Sequence, residues 1–169
     1  MIGNVDGGFC QPVNRFIGVT PMVHPQNPTG QIEHWLRLCP TFRDWPADRL
    51  RQLACSARVQ RYRRSTQLIG ERHRRDTLVV VSGSIEVSAT NATGSKYILS
   101  GLGPGQVTNL VQLLKDVPAA FAYFAREDSQ VIHIPAASMR QVLDTEPVLW
   151  RSIAELMLRR YTLGAVFRH

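Results

Sequence analysis

No stretch of this 169-residue chain approaches the ~20 consecutive apolar residues that a membrane-spanning helix requires. Cysteine is scarce: Cys10, Cys39 and Cys55 lie far apart without a C-x-x-C spacing, which excludes a disulfide scaffold, a four-cysteine zinc site and an all-cysteine iron–sulfur cluster. The first sixteen residues hold neither an early basic cluster nor a continuous apolar run, so they do not read as a secretory signal, and a cytoplasmic location is expected. Catalytic signatures are missing as well, with no G-x-S-x-G, no H-E-x-x-H and no P-loop. The carboxylates are scattered, mostly beside arginines. Gly101, Gly103 and Gly105 punctuate a loop with no strand–loop–helix unit around it. A non-enzyme is expected.

Lysine is nearly absent: eighteen of the twenty basic residues are arginine, and the net charge is +7. Such a balance attracts polyanions such as nucleic acid or an anionic membrane surface. The plainer reading places these arginines on solvated faces. They are densest from Arg58 to Arg75, with Arg61, Arg63, Arg64, Arg72 and Arg74 between, Glu71 in opposition and Tyr62 as the single aromatic, too few rings for a single-strand stacking surface.

Residues 1–30 lack periodicity and read as an arm. A helix pattern covers 31–38, and a second runs from Pro46 to Ser56 with Leu50, Leu53 and Ala54 on one face. From residue 57 the period becomes two. Strands are expected near 57–62, 66–69, 77–82, 84–90, 95–100, 119–126 and 129–135, with Asn91–Gly94 as a hairpin turn. After Pro135 a short helix spans 136–145. Pro147 then opens a longer one whose apolar residues occupy more than one stripe, so one side can face the β domain and another a partner helix. Seven short strands with such punctuation make the chain mainly β with flanking helices, a barrel or sandwich.

This order resembles the cyclic-nucleotide-binding domain, a double-stranded β-roll (jelly roll), and more narrowly the effector domain of Crp–Fnr family transcription regulators. The stretches that carry the likeness are Tyr62–Ile69 (YRRSTQLI), Leu78–Val87 (LVVVSGSIEV), Gly94–Gly105 (GSKYILSGLGPG) and Glu127–Pro135 (EDSQVIHIP), followed by Glu146-Pro147 and the long helix with Arg159-Arg160. The resemblance implies a roll over 31–146 that holds a small effector and a helix over 147–169 that pairs with its twin in a homodimer through Trp150, Ile153, Met157, Tyr161 and Gly164. DNA would be read by a helix-turn-helix domain, which this sequence does not contain.

The same resemblance implies a nucleotide cassette, and here the chain departs from the pattern. The Gly-Glu pair, whose carboxylate accepts from the ribose hydroxyl, falls on Asn109 and Leu110. The Arg-Ser or Arg-Thr pair, whose guanidinium meets the cyclic phosphate, falls on Ala119 and Ala120. Positions on the long helix that often touch the base match Gly164 and Ala165. Burying a phosphodiester without a charge partner is costly, and arginine normally supplies that partner because its fork meets two oxygens at once. Cyclic AMP and cyclic GMP are therefore disfavoured ligands unless Arg126 or a partner's arginine substitutes. What remains is an apolar pocket of Leu110, Ala119, Ala120, Phe121 or Ala122, Ile85 and Val87, open to an apolar effector or haem, or else collapsed into core. The effector, if there is one, is unidentified. Haem needs an axial ligand, for which His133, His34 and His73 are the candidates. A stand-alone module acting through protein or membrane-surface contacts is the alternative to a regulator's sensor half.

Overall fold

The computed structural model describes residues 28–69, 75–91, 93–110, 113 and 121–166, with side chains described as far as Arg159. Helix α1 (Pro28–Leu38) begins inside the expected arm, and the remainder of that arm lies outside the described residues. Pro28 suits a first turn, where its missing N–H has no intrahelical partner to lose. Helix α2 (Ala47–Ser56) follows Pro46 as expected and buries Leu50, Leu53 and Ala54.

The strands are β1 (Arg58–Tyr62), β2 (Thr77–Ser82), β3 (Ile85–Thr90), β4 (Lys96–Leu102), β5 (Val107–Thr108), β6 (Ala122–Ala125) and β7 (Ser129–Ile134). They form a four-stranded sheet in the order β1-β7-β2-β5 and a three-stranded sheet in the order β4-β3-β6, all antiparallel where paired. Chain reversal between β2 and β3 falls on Gly83 at φ +82. The β3–β4 hairpin closes as the Asn-Gly punctuation predicts: Asn91 Oδ1 accepts from the Thr93 and Ser95 backbone N–H groups, and Gly94 takes φ +84.

The expected strand at 66–69 is instead a crossing. Ser65 adopts φ +66 in a turn, and the chain then bridges to the smaller sheet through Gln67 opposite Phe124. Leu68 N–H donates to the Tyr123 carbonyl at 2.9 Å. The left-handed residue breaks the extended run that the alternating side chains suggest. Of the expected strand at 119–126, positions 122–125 are extended and 119–120 lie outside the described residues.

Helix α3 (Ala136–Thr145) leads through a 3₁₀ turn (Pro147–Leu149) into helix α4 (Trp150–Val166). The core has two compartments. Leu36, Phe42, Leu50, Leu53, Ile132, Ile134, Met139 and Leu143 fill the space between the larger sheet and the helices. Tyr62, Leu68, Leu78, Val80, Ile85, Leu102, Tyr123 and Val131 fill the interior of the roll. Alternation along β7 sends Ile132 and Ile134 to the first compartment and Val131 to the second, so His133 faces the roll.

Candidate ligand site

At one end of the roll interior the polar side chains converge on Asp76, just before β2. Arg58 Nη2 from β1 donates to Asp76 Oδ2 at 2.8 Å, and His133 Nδ1 lies 3.4 Å from the same oxygen. His133 Nε2 stands 2.7 Å from the Tyr62 hydroxyl, and the Leu68 carbonyl oxygen lies 3.1 Å from the same hydroxyl. Asn109 Nδ2 donates to the Asp76 backbone carbonyl at 2.8 Å. His133 is completely buried, and Asp76 and Asn109 nearly so. Burial alone would raise the Asp76 carboxyl, but hydrogen bonds from His133 and Arg58 outweigh it and hold that group below its ordinary value. Burial first, with the Asp76 charge adding to it, pushes the Tyr62 hydroxyl up to about 12, against an opposing effect of Arg58.

An Asp–His–Tyr series has the parts of an acid–base relay. The ring has no exposed surface, so in this structure the series serves to join β1, β7 and the residue that leads into β2. The sequence singles out His133 as a candidate ligand and offers nothing that connects it with Asp76 or Tyr62. A histidine between two isoleucines in a strand was the available signal.

The cassette positions part company. Asn109 heads the segment in a left-handed conformation at φ +62 and turns its side chain to the Asp76 backbone. Leu110 packs into the helix-side compartment, whereas Ile85 and Val87 are buried inside the roll. These three therefore do not line one cavity. Ala119 and Ala120 lie outside the described residues. Arg126, the candidate substitute for the missing arginine, is half exposed and sits 3.5 Å from Glu86, which alternates with Ile85 and Val87 and so lies on the outer face of the smaller sheet. Lys96 also meets Glu86, at 3.1 Å.

Among the described residues the histidines are not placed to ligate haem: His133 has no exposed surface, with Nε2 against the Tyr62 hydroxyl and Nδ1 3.4 Å from Asp76 Oδ2, and His34 is exposed on α1. His73 lies outside the described residues. Among the described residues no group of three His, Cys, Asp or Glu side chains could hold a metal ion. A cleft of about 240 Å³ between the end of α1 and β2 is lined by Trp35, Leu38, Cys39, Val79–Val81 and Pro104–Gly105, again without a histidine. Cys39 is buried there, and desolvation pushes its thiol up to about 11. No described helix is long and apolar enough to cross a membrane.

On the long helix, Ile153 has no exposed surface: it belongs to the protomer's own core, with Trp150 and Met157 packed against the same cluster. Of the residues expected to pair with a twin helix, Ile153 thus faces the chain's own helix-side compartment. Leu158, which the sequence reading did not select, is 65% exposed. The side chains of Tyr161 and Gly164 lie outside the described ones.

No curated protein matches the chain. Among solved structures, the regulatory subunit of a cAMP-independent protein kinase A from Trypanosoma brucei superposes with a TM-score of 0.65 at 12% identity, covering 76% of this chain and 47% of that one. Thermus thermophilus Catabolite Activator Protein gives 0.64 at 19% identity, over 75% of this chain and 60% of that one. This chain thus spans about half to three-fifths of those two proteins. The sensor domain of the transcriptional regulator DNR from Pseudomonas aeruginosa gives 0.68 at 14% identity, covering 83% of this chain and 96% of that one. At these identities the likeness is one of fold. The sequence profile described as "Cyclic nucleotide-binding domain" matches residues 59–146, more than half of the chain, from the second residue of β1 to the residue just after α3. With its two sheets and flanking helices in the order that this roll requires, the chain belongs to the cyclic nucleotide-binding domain family.

Proposed function

We propose that this chain is the ligand-sensing, dimer-forming part of a cytoplasmic Crp–Fnr-type transcription regulator, in which the roll has lost the groups that hold a cyclic nucleotide. The observation that carries this reading is the likeness in fold to an isolated sensor domain: the DNR domain is covered over 96% of its length. A second support is the departure at the cassette. Leu110 stands where a ribose acceptor is expected and is buried among the helix-side apolar residues, and Ala119 stands where the phosphate's arginine is expected. A neighbour in the same fold is described as cAMP-independent, so the roll does not oblige its owner to respond to that ligand. The module acts by binding and by moving its long helix, without turnover, and DNA is reached through a domain beyond this sequence. In such a dimer the exposed Leu158 side of α4, with Tyr161 and Gly164 beyond it, forms the contact, and Ile153 anchors the helix to its own protomer.

The test is native mass spectrometry of the purified chain with and without cyclic AMP. A dimer that takes up no cyclic AMP is the expected result, and any co-purifying mass would name the effector. Saturable cyclic AMP adducts would overturn the reading of the cassette, and a monomer at high micromolar concentration would overturn the dimer.

A second reading is a stand-alone module that meets an acidic protein partner or a membrane surface. It is favoured by Arg61, Arg63 and Arg64, which are exposed beside one another at the end of β1. A coding sequence that stops directly after His169 would favour it; a helix-turn-helix pattern downstream would favour the first.

A further inference from the structure

The Tyr62 hydroxyl has one proton and two acceptors within reach, His133 Nε2 at 2.7 Å and the Leu68 carbonyl oxygen at 3.1 Å. The protonation of the ring decides between them. In a neutral ring whose proton sits on Nδ1, toward Asp76 Oδ2, Nε2 is an acceptor and the hydroxyl proton points at it. In a doubly protonated ring Nε2 donates to the hydroxyl oxygen, and the hydroxyl proton is released to Leu68. We propose that His133 and Tyr62 form a proton-operated latch between the two sheets, in which proton uptake by His133 turns the Tyr62 hydroxyl onto the Leu68 carbonyl.

Leu68 makes this a cross-sheet contact. Its N–H already donates to Tyr123 in β6, and Ala125 of the same strand holds the crossing segment twice: its carbonyl accepts from Ser65 N–H at 2.7 Å and its N–H donates to the Thr66 carbonyl at 2.9 Å. Tyr62 belongs to β1 of the larger sheet. One proton thus adds a bond between a strand of one sheet and a segment held by the other. Arg58 and Tyr62 come from β1, and Asp76 precedes β2. Tyr123 is the buried titratable residue of β6 in the same compartment, and β7 itself offers Ser129 and Val131 on that face. The Asp76 carboxylate supplies the counter-charge to an imidazolium, and the Arg58 guanidinium on the same oxygen limits it. Asn109, which heads the cassette, donates to the Asp76 carbonyl and so ties the latch to that segment. The latch operates whether or not the roll holds an effector.

Heteronuclear NMR of the uniformly ¹⁵N,¹³C-labelled chain between about pH 5 and pH 9 tests it, a range that brackets ordinary imidazole titration. The expected result is that both ring nitrogens of His133 pass from the neutral to the imidazolium pattern, and that the Leu68 carbonyl ¹³C resonance shifts with the same midpoint. In Tyr62→Phe the Leu68 resonance should no longer follow the ring. A ring that keeps one protonation state throughout would overturn the proposal. So would a Leu68 carbonyl that ignores the ring, or one that follows it equally in Tyr62→Phe. If that variant does not fold, the paired titrations in the unaltered chain decide the question alone.

Discussion

Trp45 Nε1 donates a 2.8 Å hydrogen bond to Ser152 Oγ, joining positions 107 residues apart. Ser152 Oγ in turn donates to the Leu149 carbonyl, so the first turn of α4 is fastened to the connection between α1 and α2. The indole is 5% exposed and meets Phe42 edge to face, with ring centroids 5.0 Å apart. Replacing Ser152 by Ala leaves a buried indole N–H without its acceptor, and an unsatisfied buried donor costs about 1–3 kcal/mol. Urea denaturation followed by tryptophan fluorescence should show a loss of that size.

The next two residues of interest on α4 divide its roles. Ile153→Ala opens a cavity in the helix-side compartment and should lose about 2–5 kcal/mol of stability. Leu158→Ser removes an exposed side chain and should leave protomer stability within about 0.5 kcal/mol. On the dimer reading it also weakens self-association, which sedimentation of the variant at graded concentrations would register. An unchanged association constant in Leu158→Ser would exclude that face from the contact.

Why some of this could be read in the sequence is clear from particular residues. Thr77–Ser82 has the limits expected for it, because β-branched Val79-Val80-Val81 runs straight into Ser82-Gly83. The hairpin at Asn91–Gly94 follows from side-chain chemistry that acts over four residues. Strand β5 is two residues long, Val107–Thr108, too short to show a period. The crossing at 66–69 depends on one left-handed serine, which no propensity announces. The candidate site was hardest to read for a similar reason. Asp76 and Tyr62 are 57 and 71 positions from His133, and only the β1-β7-β2 order brings them together. Leu110 looks like a pocket residue when aligned with a cassette. Its apolar side chain instead satisfies the compartment behind the sheet.

Two glycines with the same backbone separate conformational strain from crowding. Gly83 has φ +82, and a Cβ there would lie 2.7 Å from the Asp128 carbonyl oxygen and 2.8 Å from Ser129 Cα, both backbone atoms. Gly94 has φ +84 with nothing within 4 Å. Gly94→Ala should therefore cost only the left-handed penalty, about 1–2 kcal/mol. Gly83→Ala adds overpacking and should cost about 2–4 kcal/mol. Thermal unfolding of the pair measures the difference.

Asp76 sets the acid limit of the roll. Its carboxyl lies below the ordinary value in the folded state, so the folded protein binds fewer protons than the unfolded chain as pH falls. The stability it contributes is complete above the unfolded value, about 3.9, and is lost as pH drops through the lower folded one. Asp76→Asn should lower stability at pH 7 by about 1–3 kcal/mol, because Arg58 and His133 then face a neutral amide. Below about pH 4 the gap between variant and parent should narrow. Denaturant midpoints at pH 7 and pH 3 check this, and a gap that stays constant would mean that Asp76 does not carry the linkage.

Cys39 provides a probe of the helical layer. It is 2% exposed at the edge of the cleft between α1 and β2, and its thiol is pushed up to about 11, so almost no thiolate forms near neutral pH. Alkylation at pH 7.5 followed by peptide mapping should leave Cys39 unmodified in the folded chain and modify it fully in denaturant. The labelling rate then reports opening of α1 from the sheet. Trp35→Ala, which strips the half-buried indole from the same cleft, should raise that rate without lowering the thiol's value enough to matter, because access and not thiolate fraction is what the indole controls. Rapid modification of the unaltered folded chain would show that α1 does not stay closed over β2.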